Sequence, residues 1–421
     1  MTAEICMMNR LAVVLAADSA TTVSRWVDGK REERYFKGAN KIFQLSDHHP
    51  VGLMIFDSAS ILNVPWEVVI KTFRSQLSKK SFNTVEEYAR ELFDFLNDNP
   101  GFFPEEVQRD EVSRAARGVF FSWAAEALEG VAEEDTSAAI VAYFQAKQNE
   151  LDGINVSDCL GAEHFQKTSD DLKDTVRETI ETVLPRLVTD GVDIGAIATA
   201  SLHEVMKRPA SYLSTTGLIF AGFGDHQIFP AVVEYQSCGV VGGKHIYSTI
   251  GAMALDHSQS AWLGAFAQTS MIDTFSGGVS LDVYRLLMLA IEENLKGFAT
   301  EVVAKSEGDF SKIDDLEGLV QAWRRKIGEM VLEKARKEHS LPLRSVLGSL
   351  PVNEMADLAE TLITLQSLKE KVTKPSETVG GPVDVAIITK HEGLVWVKRK
   401  HFFDADLNSR FKLRQAAQHD L

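Results

Sequence analysis

The chain of 421 residues has 44 Lys and Arg against 60 Asp and Glu, a formal net charge of -16. That balance argues against nucleic acid or an anionic membrane surface as a partner. Hydrophobic content of 45% and charged content of 25% are ordinary for a globular protein, and the length alone would suit two or three domains. Three widely spaced cysteines, Cys6, Cys159 and Cys238, make neither a disulfide framework nor a zinc pattern. No metal or cofactor is expected. Met1 to Asn9 carries no basic leader region, and no apolar run approaches the roughly 20 residues that span a bilayer. These features predict a cytoplasmic protein.

In chain order, Ala3–Met8 reads as a strand, paired with Leu11–Ala17 through a turn at Asn9-Arg10. The second run is short and apolar, and it leaves the core abruptly at Asp18-Ser19. Residues 20–40 are polar and read as a loop with a turn at Asp28-Gly29. Lys41–Leu45 and Val51–Phe56 read as further strands. The position of the first strand matters chemically. Thr2 is a small residue after the initiator, so removal of Met1 would leave it as the N-terminus. Its hydroxyl can attack, and its α-amine, with a reference pKa of about 7.7–8.0, can take the proton. A carboxylate and a cation are still needed to orient that hydroxyl, and Asp18 and Lys41 are the candidates.

Thr2, Val13-Val-Leu-Ala-Ala-Asp-Ser19 and Asn40-Lys41-Ile42 together resemble the opening of proteasome β-subunits and their bacterial relatives. The Ala-Ala-Asp-Ser segment stands at the family's distance from the threonine. The resemblance implies the αββα four-layer sandwich of the N-terminal nucleophile hydrolases, an α+β fold. It also implies a threonine-type peptidase or amidase whose catalytic residues are Thr2, Asp18 and Lys41. The loop between Ser19 and Lys41 is longer than the family's. Where the family has a glycine pair supplying an oxyanion N–H, this chain has Phe56-Asp57. A backbone N–H survives there, but a carboxylate beside a developing oxyanion is unfavourable.

Residues 60–78 and 85–97 have helical spacing, and roughly 98–190 reads as a helical insertion, broken by the acidic run Glu129–Asp135. Its aromatics Phe121, Trp123 and Phe144 read as packing core. After a helix over 191–208, the resemblance resumes with the strand pair Gly217–Asp225 and Ile228–Tyr235. Gly222-x-Gly224 and Gly242-Gly-Lys244 are hairpin signals before they are phosphate loops, and His226 reads as a turn residue. The family's serine near the amine falls in the register of Gln268, Thr269 and Ser270, any of which could hydrogen-bond the amine. A helix over 281–297 leads into a second helical insertion at 298–350, where Lys334–His339 reads as a solvated face. Asn353–Leu368 is amphipathic, and Val379–Ile388 with Gly393–Val397 resembles the family's glycine turn and closing strands. The flanking Asp and Ser of that turn fall on Ser376 and Val379, with Glu377 as a replacement carboxylate.

Together these readings predict one domain over 1–421 with two helical insertions. They predict amide hydrolysis through an acyl-enzyme on Thr2, with Lys41 stabilising the developing charge and Asp18 orienting Lys41. Self-association into a ring or smaller oligomer and an ATP-dependent unfoldase partner follow from the resemblance alone. The competing class is a catalytically inactive scaffold of the same fold, favoured by Phe56-Asp57. A small-molecule amidase is a third.

Overall fold

The chain opens with strands β1 (Ala3–Asn9), β2 (Ala12–Ala17), β3 (Ala20–Val27) and β4 (Lys30–Lys37), followed by β5 (Ile42–Gln44) and β6 (Val51–Asp57). A small ribbon, β7 (Ser60–Ile61) and β8 (Val64–Pro65), leads into α1 (Trp66–Leu77) and α2 (Val85–Asp98). Then come α3 (Glu105–Ala127), α4 (Thr136–Asp152), α5 (Gly161–Val183), α6 (Pro185–Thr189), α7 (Ile194–Lys207) and α8 (Pro209–Tyr212). Strands β9 (Thr216–Gly222), β10 (Ala231–Val241), β11 (Lys244–Ala254) and β12 (Ala261–Ala267) follow. The helices α9 (Ser270–Gly277), α10 (Leu281–Lys305), α11 (Leu316–Ala335), α12 (Leu341–Leu347) and α13 (Val352–Thr373) precede β13 (Asp384–Thr389) and β14 (Gly393–Lys398). This computed structural model describes residues 2–27, 30–305, 315–373, 379–404, 407–411 and 413. Helices come in runs between runs of strands, and the strand pairs are antiparallel, which makes the chain α+β.

Two compact units divide it. The first comprises residues 1–42, 228–230 and 254–421, and the second comprises 43–227 and 231–253. The 98–190 insertion belongs to the second unit and the 298–350 insertion to the first.

The first unit holds a five-stranded sheet in the order β12-β1-β2-β13-β14. The β1–β2 hairpin forms where the short apolar runs predict it. Its turn is held by the Asn9 side chain, whose Oδ1 accepts from the N–H groups of Leu11 and Ala12. One face of β1 and β2 (Ala3, Ile5, Met7, Val14, Ala16) packs with Met355, Ala359, Leu362 and Ile363 of α13 in one core. The period of two in a strand then turns Thr2, Glu4 and Cys6 to the opposite face.

Residues 20–37 correct the sequence reading of a loop. They form a two-stranded ribbon, β3–β4, in which Ala20 pairs with Lys37 and Val27 with Lys30. Residues 28 and 29, the expected turn, lie outside the described residues. The expected helix over 60–78 begins only at Trp66, because Leu62 and Asn63 take left-handed backbone angles (φ 45° and 65°) in the β7–β8 turn.

The second unit holds the sheet β11-β10-β9-β6-β5. Its core joins Leu53, Ile55, Leu218, Phe220 and Tyr235 of the sheet to Trp66, Phe73, Tyr88, Leu92 and Phe93 of α1 and α2. A second core lies within the insertion, where Phe120, Trp123 and Phe144 pack as the helical spacing predicts. Gly222 is where β9 meets the chain at Pro50. Its φ of +143° and a Cβ position 2.0 Å from the Pro50 carbonyl oxygen admit no side chain. Gly222→Ala is expected to destabilise this unit by about 2–4 kcal/mol, through backbone strain and overpacking. An unchanged thermal midpoint would refute that.

Among the described residues no single helix is long and apolar enough to cross a membrane, although α9 and the Leu281–Val302 part of α10, bent by 74°, pass that test as a pair by length and composition alone.

Candidate active site

The candidate site lies in the first unit, where β1 begins, β2 ends and the chain enters β5. Thr2 is 5% exposed, Asp18 1% and Lys41 7%. Asp18 Oδ1 lies 2.6 Å from the Thr2 hydroxyl and 2.6 Å from Lys41 Nζ. Lys41 Nζ also donates to Thr2 Oγ1. The three residues singled out by spacing therefore converge on one hydroxyl, with a cation and a carboxylate both in contact with it.

Asp18 is held on both oxygens. Oδ1 accepts from the Ala3 N–H at 3.1 Å. Oδ2 accepts from the N–H groups of Ala20 and Gly380, at 3.2 and 2.7 Å. Gly380 can reach it because its φ of +148° is open only to glycine at low cost. In return, the Ser19 N–H donates to the Gly380 carbonyl, and the Ser19 hydroxyl donates to that of Pro382. The glycine turn before β13 thus locks the end of β2 and, with it, the carboxylate. At the other edge of β1, the Gln268 N–H donates to the Thr2 carbonyl at 2.9 Å. This fixes the Thr2 backbone against the end of β12.

Sequence reasoning missed one member. Glu4 is 0% exposed, and its Oε1 lies 3.0 Å from the Thr2 hydroxyl and 3.9 Å from Lys41 Nζ. The signal was present: residues two apart in a strand share a face, so a carboxylate at position 4 stands beside a hydroxyl at position 2.

The supporting residues behave differently. Gln268 meets Thr2 through its backbone. The Thr269 hydroxyl donates to Asp273 at 2.7 Å, in the first turn of α9. The Ser270 hydroxyl meets Gln366 of α13 at 3.4 Å and accepts from Lys369 at 2.6 Å. The Thr269 hydroxyl thus serves the first turn of α9, and the Ser270 hydroxyl the junction of α9 and α13. Phe56 and Asp57 belong to the second unit, at the end of β6. Asp57 has a left-handed φ of 66°, and partial burial pushes its carboxyl above the usual range. Ser376 and Glu377 lie outside the described residues. Among the described residues no group of His, Cys, Asp and Glu could hold a metal ion.

Fold and cluster define a class: an α+β protein with a buried threonine, lysine and two carboxylates at the start of its first strand. No protein-family model matches the chain, and no curated protein does. Among solved structures, the chain is similar to an Anbu (Gly-1) mutant from Hyphomicrobium sp. strain MC1. The identity is 10% and the TM-score 0.28, covering 100% of this chain and 99% of that one.

Proposed function

We propose that the protein is an N-terminal-threonine hydrolase of peptide or other amide bonds, with Thr2 as nucleophile after removal of Met1. The observation that carries this is the meeting of Thr2, Asp18 and Lys41 around one hydroxyl oxygen. Thr2 Oγ1 attacks the amide carbonyl, and its proton passes to the α-amine, directly or through a water. Lys41 stabilises the charge that develops on Oγ1, and Asp18 orients Lys41. Water then releases the acyl group. A free α-amine also suits the electrostatics, because two carboxylates face one lysine ammonium there. On this reading the two five-stranded sheets are the inner layers of an αββα sandwich, and the protein acts in the cytoplasm, self-associates and takes unfolded chains from an ATP-dependent unfoldase.

A second reading, a catalytically inactive scaffold of the same fold, is favoured by Phe56-Asp57. It also gains from the apolar residues exposed along α10 and α11, among them Leu286, Phe298, Trp323 and Met330.

Intact mass and β-lactone labelling separate the two. The hydrolase reading expects a mass without Met1, a single acyl adduct on Thr2, and loss of at least about 1,000-fold in amide hydrolysis on Thr2→Ala with folding intact. Retained Met1 with no adduct leaves the scaffold.

A further inference from the structure

Helices α4, α5 and α7 pack around one core of the second unit, yet they do not close on one another. A cavity of about 440 Å³ remains between them, within the roughly 300–1,000 Å³ of small-molecule sites. The gap has a local cause. Ala196 and Ala200 stand one turn apart on α7, so this stretch of the helix offers only methyl groups to the space. Val141 and Phe144 of α4, with Val192 and Ile197, give it apolar walls.

Two opposite charges also line it, and both stand beside Gly195. A Cβ on that glycine would lie 3.4 Å from Lys173 Nζ of α5 and 3.2 Å from Oδ1 of Asp193, the residue that caps α7. Asp193 Oδ1 accepts from the Ala196 N–H at 2.9 Å. Among the described residues, no hydrogen bond or ion pair engages Asp193 Oδ2 or the Lys173 ammonium. His203, the third ionisable group of the lining, adds no charge at neutral pH. Burial holds its imidazole below the usual range, and its Nε2 meets the Ser169 hydroxyl at 3.2 Å. The cavity therefore sets one cation and one anion around a single glycine, next to apolar walls. A ligand with one charge would satisfy one of them and leave the other unpaired. A zwitterion satisfies both.

We propose that this cavity binds a free α-amino acid with a large apolar side chain. Its carboxylate pairs with Lys173, its ammonium with Asp193, and its side chain lies against Phe144 and Ile197. The site shares no residue with the Thr2 cluster, and the inference does not rest on Thr2 being a nucleophile.

The test is a ligand-observed NMR titration of the full chain with L-phenylalanine, N-acetyl-L-phenylalanine and L-phenylalaninamide. It is run on the wild type, Lys173→Met and Asp193→Asn, the last of which keeps the cap of α7. The wild type is expected to bind phenylalanine at one site and each blocked analogue at least about tenfold more weakly. Lys173→Met is expected to weaken phenylalanine at least about tenfold while leaving the amide, which has no carboxylate to lose, within about twofold. Asp193→Asn is expected to weaken phenylalanine equally and to leave the N-acetyl analogue within about twofold. Losses of equal size for phenylalanine and its blocked analogues overturn the proposal, as does a wild type that does not bind phenylalanine. If a charge variant does not fold, Ala196→Phe decides, because it fills the cavity from an exposed position of the lining. It is expected to abolish binding, and undiminished binding there overturns the site. The hydrolase reading is decided by mass and labelling at Thr2, so either can fail without the other.

Discussion

Lys41→Met is expected to lower the unfolding free energy by about 3–5 kcal/mol and to abolish hydrolysis. Lys41 is the ammonium that faces two carboxylates whose side chains are fully covered. Methionine nearly matches the lysine stem in volume, so the core is not opened. What is lost is the cation, and the cost is that of leaving negative charge buried beside a hydroxyl. A surface pair with the same Nζ–Oδ1 distance would be worth about 0–1 kcal/mol, so the size of the effect reports burial. The measurement is urea unfolding of wild type, Lys41→Met, Asp18→Asn and the double variant. The pair is expected to couple strongly, with the double variant recovering part of the single variant's loss. A loss under about 1 kcal/mol for Lys41→Met would mean that the ammonium does not compensate the Asp18 and Glu4 carboxylates. The role given to it at Thr2 would fall as well.

How much of this was legible in the sequence depends on what each residue answers to. The β1–β2 hairpin was legible because burial on both faces leaves an uninterrupted apolar run in β2 and the short run Ile5–Met8 in β1. Asp18 was legible because an acidic residue ending such a run has to be held by something. Glu4 was equally visible, but a strand read only as an element hides which residues share a face. The β3–β4 ribbon escaped for the opposite reason. Pairs such as Val23 with Arg34 are cross-strand contacts, with Val23 exposed, and no core imposes an alternation on them. The anchoring of Asp18 by the Gly380 N–H joins residues 362 apart, and nothing local encodes it. Thr269 bonds within the first turn of α9, which competes for side-chain oxygens, while Ser270 meets Lys369 of α13, 99 residues away, a partner that nothing local encodes.

The other large effect expected is acid sensitivity of the second unit, through His245. It sits at 1% exposure among aromatic rings, stacked on Tyr247 with centroids 5.4 Å apart and 5.0 Å from Phe93. Its Nε2 meets the Ser237 hydroxyl at 2.8 Å, while Nδ1 has no hydrogen-bond partner among the described residues. An imidazolium there would bury a charge that pairs with no carboxylate among the described residues, and burial pushes the imidazole down to about 3. In the unfolded chain the same group titrates near its ordinary value of about 6.5. Between those two pH values the unfolded state binds the extra proton, so stability rises with pH and is lost as pH falls below about 6.5. Each unit costs about 1.4 kcal/mol, and the whole interval roughly 3–5 kcal/mol. His245→Phe keeps the ring and removes the titration. It should lower stability at pH 8 by about 1–3 kcal/mol, because Ser237 loses its partner. Its curve of unfolding free energy against pH should then be flatter than the wild type's below pH 6.5. Parallel curves would show that the buried imidazole does not carry the acid sensitivity. A flatter curve would make pH 4–5 the condition under which the second unit opens first, and activity assays at Thr2 would have to stay above it.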